Sequence, residues 1–132
     1  MSLVFVDTSV WARIAQPSVA EAVADATTGG AVVVTDLLLL ELLRSARNAK
    51  EHAELREEYA TLHVVSVTPA LVERALSIQG RLAVRGYHRG PSPIDLLSAA
   101  AAESVKATLW HCDRDFELIS EITKQPLRRL GK

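Results

Sequence analysis

Short apolar runs alternate along the chain with longer stretches whose apolar residues recur at helical spacing, and Gly, Pro or polar clusters divide them. Leu3 to Val6 reads as a buried strand, and Asp7-Thr8-Ser9 follows as a turn whose side-chain oxygens can cap a helix begun by Val10-Trp11. Pro17-Ser18 breaks that helix. Ser18 and Glu21 have the spacing of a capping box for a helix to about Thr28, which Gly29-Gly30 stops. Ala31 to Thr35 is strand-like, Asp36 can cap a helix from Leu37 through about Arg47, and a helix from about Ala49 to Thr61 completes a helical hairpin. His63 to Val67 predicts a third strand. Thr68-Pro69 joins an N-cap to a proline at the first helical position and starts a helix to about Val84. Gly86 to Ser92 is a loop, and Ser92-Pro93 repeats the signal for a helix over Ile94 to Val105. Thr108 to Cys112 predicts a fourth strand, Phe116 to Ile122 a short helix, and Leu127 to Leu130, after Pro126, a fifth strand at a sheet edge.

Strands alternating with helices argue for an α/β fold: a three-layer α/β/α sandwich around a central, mostly parallel sheet of four to five strands. In such sheets ligands bind beyond the carboxyl ends of the strands. A chain of 132 residues, 48% hydrophobic and without repeats, suits a single domain over residues 1–132. The formal charge of −1 supplies no global positive field, so any nucleic acid must be held by local patches. One cysteine, Cys112, leaves no internal disulfide and fits a reducing compartment. No basic leader and no apolar run of spanning length stand in the sequence, so the expectation is a soluble, cytoplasmic protein with no membrane association.

Against this background four acids are oddly placed. Asp7 ends LVFVD, Glu41 interrupts LLLLELL, Asp95 opens PIDLLSAAAA and Asp113 follows TLWHC. Acids set into or against apolar runs must be paired, hydrated or holding a cation. Each has an ordinary alternative. Asp7 can be a helix cap, Glu41 can pair with Arg44 or bond Ser45, and Asp95 sits three residues after the cap Ser92, where an acid favours the helix dipole by ~0.3–1 kcal/mol. Asp113 and Asp115 share the segment CDRDFEL, one a candidate cap and the other a candidate solvated charge. Their joint placement says more, because strand ends and helix starts can converge on one edge of a parallel sheet. Converging carboxylates repel one another unless a cation neutralises them, and oxygen-only ligands favour Mg²⁺ or Mn²⁺. That donor set suits phosphate-ester chemistry. His111-Cys112 invites a zinc reading, but zinc asks for more Cys and His at close spacing.

VDTSVW, Glu41 in LLLLELLRS, PIDLLSAAA and HCDRDFELI, in this order, resemble the PIN domain, specifically the short bacterial VapC-type ribonuclease toxins of type II toxin–antitoxin pairs. The resemblance covers essentially the whole chain. It implies an endoribonuclease dependent on Mg²⁺ or Mn²⁺, with Asp7, Glu41, Asp95 and Asp113 as the acidic quartet, Asp115 as a fifth candidate ligand, and Thr8 or Ser9 supporting Asp7. It also implies an RNA substrate, a cognate antitoxin protein covering the acidic site, and a homodimer built into a toxin–antitoxin hetero-oligomer. Cys112 departs from the hydroxyl or aromatic residue that often precedes the last acid, at a position that is not a required ligand. Arg81, Arg85, His88 and Arg89 crowd the loop before Asp95 and are candidates for RNA phosphates, their alternative being a solvated surface. Trp11 and Ile14 are either core or a patch for a partner helix. A PIN nuclease of RNA maturation or turnover would carry the same site, and an inactive PIN-like binding module would share the fold. A phosphorylatable receiver domain would need an acid where HVVSVT ends at Thr68, and a haloacid-dehalogenase-type phosphatase a second Asp where Ser9 stands.

Overall fold

The structure is a computed structural model that describes residues 2–132. Its elements run β1 (Val4–Val6), α1 (Thr8–Trp11), α2 (Pro17–Thr28), β2 (Val32–Thr35), α3 (Asp36–Leu43), α4 (Ala49–Glu58), a 3₁₀ turn (Tyr59–Thr61), β3 (His63–Val65), α5 (Pro69–Val84), α6 (Pro93–Ser104), β4 (Thr108–His111), α7 (Asp115–Thr123) and β5 (Leu127–Arg129). The strands form one parallel sheet in the order β3-β2-β1-β4-β5. Every residue of β1 and β2 is buried, whereas the edge strands expose His63 and Val64 on one side and Arg128 and Arg129 on the other. Charges on β5 discourage edge-to-edge pairing.

The chain steps from β1 to β2 to β3 in one direction, then crosses back to β4 and β5. Right-handed crossovers therefore lay α1 to α4 on one face and α5 to α7 on the other. α6 packs on β1, β2 and β4 and against α5 and α7. Its four consecutive alanines, Ala99 to Ala102, are all buried, because only small side chains let the helix lie close to the sheet and two neighbouring helices at once. Phe5, Ile78, Leu82, Leu109 and Phe116 fill the layer between. Buried Gln125 ties the segment after α7 to α6, donating from Nε2 to the Ala99 carbonyl at 3.1 Å. Among the described residues no helix is long and apolar enough to cross a membrane.

The caps at Thr68 and Ser92 stand where the sequence predicts them. Ser18 forms no capping box. Proline's fixed φ starts α2 at Pro17, so Ser18 lies inside the helix and Gln16 precedes it without a side-chain cap. Thr35, not Asp36, caps α3, its Oγ1 accepting from Leu38 N–H at 3.0 Å. Asp36 Oδ1 instead accepts from Val67 N–H at 3.1 Å and fastens the segment after β3. α3 stops at Leu43 rather than near Arg47, and a separate cap at Asn48 opens α4. Trp11 is half-buried against the core, its Nε1–H donating to the Val6 carbonyl at 3.0 Å and its ring meeting Tyr59 edge-on at 5.7 Å.

Ala101→Leu should overpack the α6–sheet contact and lower unfolding free energy by about 1–3 kcal/mol, read as a shift in urea midpoint at unchanged slope.

Candidate acidic site

Sheet order reverses between β1 and β4, so the connections leaving their carboxyl ends diverge and open a crevice between them. Asp7 is the first residue past β1. Its backbone N–H donates to the Trp110 carbonyl at 3.0 Å, which extends the β1–β4 pairing to the floor of the crevice. Its side chain caps α1, with Oδ2 accepting from Ser9 N–H at 2.9 Å and from Ser9 Oγ–H at 2.7 Å. Ser9 Oγ in turn accepts from Cys112 N–H at 2.9 Å, so one hydroxyl locks the ends of β1 and β4 together around the carboxylate. Asp7 is 1% exposed, and its Oδ1 is buried without a hydrogen-bond partner.

Three further carboxylates arrive from the helix starts opposite. Ser92 N–H donates to Asp95 Oδ2 at 2.9 Å and Asp95 N–H to Ser92 Oγ at 3.2 Å, a reciprocal capping box that fixes the Asp95 rotamer. Asp113 N–H donates to His111 Nδ1 at 3.2 Å, and Asp113 Oδ1 accepts from Asp115 N–H at 2.9 Å. Asp95, Asp113 and Asp115 each offer an oxygen within 4.8 Å of the others. Asp7 lies outside that trio. Among the described residues this is the one group of three or more potential metal ligands, and no histidine or cysteine belongs to it. The zinc reading therefore finds no support in the geometry.

Burial is the chief reason the carboxyls of Asp7, Asp95 and Asp115 lie above the ordinary carboxylate range. The Asp113 charge pushes each of them further up, and Asp7 also raises Asp95. Hydrogen bonds from Ser9 and Ser92 oppose the rise at Asp7 and Asp95. Burial also lowers His111, which favours the neutral ring whose Nδ1 accepts from Asp113. A site of this kind is short of positive charge. The donor set is all oxygen, and the unpartnered, buried Oδ1 of Asp7 is the signature of a group that lacks its counter-charge. These residues fit a hard divalent cation.

Glu41 stands apart from the trio. It is half-buried on α3 in an ion pair with Arg44 at 3.5 Å, and it borders a groove of about 440 Å³ that also touches Thr8, Trp11, Ile14 and Tyr59. The groove continues past Trp11 and Ile14 toward Val23 and Leu62. Ser9 holds Asp7 through both backbone and side chain, whereas the Thr8 backbone acts on it only by lowering its pKa. Arg81, Arg85, His88 and Arg89 are all exposed, and Arg85 pairs with Glu121 at 3.1 Å. The sequence reading missed His111 as the residue that holds Asp113. It also missed Gly90, where a Cβ would meet Asp115 Oδ1 at 3.1 Å. His111 carried a signal in its position one step inside the strand end, while Gly90 carried none beyond its residue type.

Residues 4–122 match the PIN domain family. Among curated relatives, the chain is 40% identical to Ribonuclease VapC51 of Mycobacterium tuberculosis over 91% of this chain and 87% of that protein. It is 36% identical to Ribonuclease VapC18 of the same organism over 92% of this chain and 90% of that one. Among solved structures, it resembles a chain of the Rickettsia felis VapBC2 crystal structure bound to a DNA fragment from their promoter, with TM-score 0.77, 15% identity and coverage of 98% and 99%. A chain of DNA-bound VapBC from Salmonella typhimurium is similar, with TM-score 0.75, 16% identity and 98% of each chain covered.

Because the folded-state pKa of Asp7 lies above its ordinary value of 3.8, its protonated form is favoured by folding. That contribution is complete below 3.8 and is lost as pH rises through the raised value. Asp7→Asn, which keeps an acceptor for Ser9 and removes the charge, should therefore raise the thermal midpoint by a few degrees at neutral pH in EDTA. The gain should vanish in acid, as scanning calorimetry across pH would register.

Proposed function

The chain belongs to the PIN domain family, and on that footing we propose that it is a metal-dependent endoribonuclease, the toxin component of a type II toxin–antitoxin pair. The observation that carries the reading is the trio of carboxylates within 4.8 Å at the sheet's switch point, beside a buried Asp7 whose Oδ1 has no partner. The whole chain forms one nuclease domain acting in the cytoplasm. Asp7, Asp95 and Asp113 are the proposed ligands and catalytic acids, with Asp115 a fourth carboxylate of the cluster and Thr8 and Ser9 supporting Asp7. Glu41, apart from the trio and paired with Arg44, is the remaining member of the proposed acidic set.

Mg²⁺ or Mn²⁺ bound there would supply an activated water and charge stabilisation for the leaving oxygen of a phosphodiester. The chain's own part is to hold the acids rigidly. Ser9 occupies Oδ2 of Asp7 through both its N–H and its hydroxyl and leaves Oδ1 uncommitted. The Ser92 box and the His111–Asp113–Asp115 chain of bonds fix the remaining acids before any cation arrives. Preorganisation of this sort avoids reorganising dipoles during the reaction. Arg81, Arg85, His88 and Arg89 are exposed at the end of α5 and in the loop before Asp95 and are proposed to hold flanking phosphates of the RNA.

The relatives named as VapC ribonucleases and the VapBC assemblies of like fold support a cognate antitoxin as partner. The groove along Trp11, Ile14 and Tyr59, open to Glu41, is a suitable seat for its apolar segment beside the acidic site. Exposed Leu40, Val72 and Leu76 offer helical surface for a homodimer.

Purified protein should cut bacterial RNA in Mg²⁺ or Mn²⁺ but not in EDTA, and Asp95→Asn should lower the rate at least a hundred-fold while remaining folded by circular dichroism. Cutting that persists in EDTA would end the metal-dependent reading. Divalent cations should also raise the thermal midpoint at neutral pH, with the increment shrinking as acid protonates the three carboxyls held above their ordinary range.

A further inference from the structure

We propose that the cleft between the α5–α6 loop and the first turns of α7 is a nucleotide subsite, in which Tyr87 stacks on a base of the RNA and Arg114 takes an adjoining phosphate. The inference rests on the ribonuclease reading above and extends it to residues outside the acidic site and outside the arginine cluster before Asp95.

The cleft measures about 420 Å³, within the ~300–1,000 Å³ typical of small-ligand sites. It shares a wall with the acidic cluster. Asp115 and Gly90 line it, and Asp115 is one of the three carboxylates within 4.8 Å. The closeness of Gly90 to Asp115 Oδ1 brings the loop hard against the cluster, so a strand of RNA cut there would pass directly into the cleft.

Tyr87 is presented rather than packed. Gly86, at φ +78°, ends α5 in a left-handed residue, with Gly86 N–H donating to the Ala83 carbonyl at 3.0 Å and Tyr87 N–H to the Leu82 carbonyl at 2.9 Å. Gly90 N–H donates to the Tyr87 carbonyl at 3.3 Å and closes the loop. The backbone of Tyr87 is thus tied on both sides while the residue is 48% exposed. A fixed aromatic beside a basic group is the usual means of holding single-stranded RNA without base-specific bonds.

The charges point the same way. Glu117 and Glu121 also line the cleft, but Glu117 pairs with Arg129 at 3.3 Å and Glu121 with Arg85 at 3.1 Å. Arg114 is exposed and has no ion-pair partner among the described residues. Among the described residues it is the cleft's one cation, placed between Asp113 and Asp115, and its charge already favours ionised Asp115 without forming an ion pair.

The test titrates a fluorescein-labelled single-stranded RNA of mixed sequence against the full chain in Mg²⁺, with all variants in the Asp95→Asn background. Tyr87→Ala should weaken binding roughly ten-fold, and Tyr87→Trp should retain it. Arg114→Gln should lower the slope of log affinity against log salt by about 0.7, one single-strand phosphate contact, and Arg114→Lys should restore it. With Asp95 present, both damaging variants should raise KM for cleavage and leave kcat unchanged. Equal thermal midpoints exclude misfolding as the cause. Wild-type affinity, slope and KM in Tyr87→Ala and Arg114→Gln, in a protein that cuts RNA, would overturn the subsite and leave the nuclease intact. A chain that cuts nothing yet loses RNA binding in these variants would overturn the nuclease and keep the subsite, and a chain that neither binds nor cuts would overturn both.

Discussion

Like charges drawn together in a low-dielectric crevice set the terms for the rest of this molecule. The carboxylates of Asp95, Asp113 and Asp115 lie within a few ångströms of one another, and Asp7 lies buried at the floor beneath the crevice. Their repulsion would splay the segments that carry them if those segments were free. The sheet prevents this, because β1 and β4 pair side by side and Asp7 N–H continues the pairing past the last residue of β1. Burial first, and the Asp113 charge after it, raise the carboxyl groups of Asp7, Asp95 and Asp115 from their ordinary value.

Helix starts are what make the cluster tolerable. Asp7 caps α1, Asp95 closes the capping box of α6, and Asp113 and Asp115 stand at the opening of α7. Backbone N–H groups at these ends lack helical partners and carry partial positive charge, and Asp7, Asp95 and Asp113 each accept from one of them. The same bonds immobilise the acids. A residue that serves as a cap has its rotamer fixed by the fold, which leaves one oxygen committed to the backbone and another free for a ligand. For these positions the structural and chemical roles coincide.

Around this rigid centre the surfaces differ in kind. On the α1–α4 side an apolar groove runs from Val23 and Leu62 past Trp11 to Glu41. On the α5–α7 side a polar cleft holds Tyr87 from the loop and Arg114 beside Asp115, Glu117 and Glu121. The two flanks thus differ in chemistry, an apolar groove that ends at Glu41 on one and a polar cleft that ends at Asp115 on the other.

The strands, the caps at Thr68 and Ser92, the α/β class and the odd placement of the acids against apolar runs were legible in the sequence, because each depends on neighbours within a few positions: a run of β-branched residues, a hydroxyl before a proline, an acid abutting an apolar stretch. The local rules failed where another element competed. Pro17 displaced the cap expected at Ser18, and Thr35 took the cap expected at Asp36 because Val67 N–H claimed that carboxylate. Convergence itself was beyond any local pattern. That Asp95 meets Asp113 and Asp115, that a serine hydroxyl spans from residue 9 to residue 112, and that Gly90 is small so that Asp115 can approach follow from strand order and crossover hand, whereas the Glu41–Arg44 pair is the local i,i+3 alternative that the sequence offered. The sequence determined which residues could bear charge at the ends of elements; the reversal of the sheet between β1 and β4 decided which of them would have to share a crevice, because only there do the connecting segments part and leave the strand ends open.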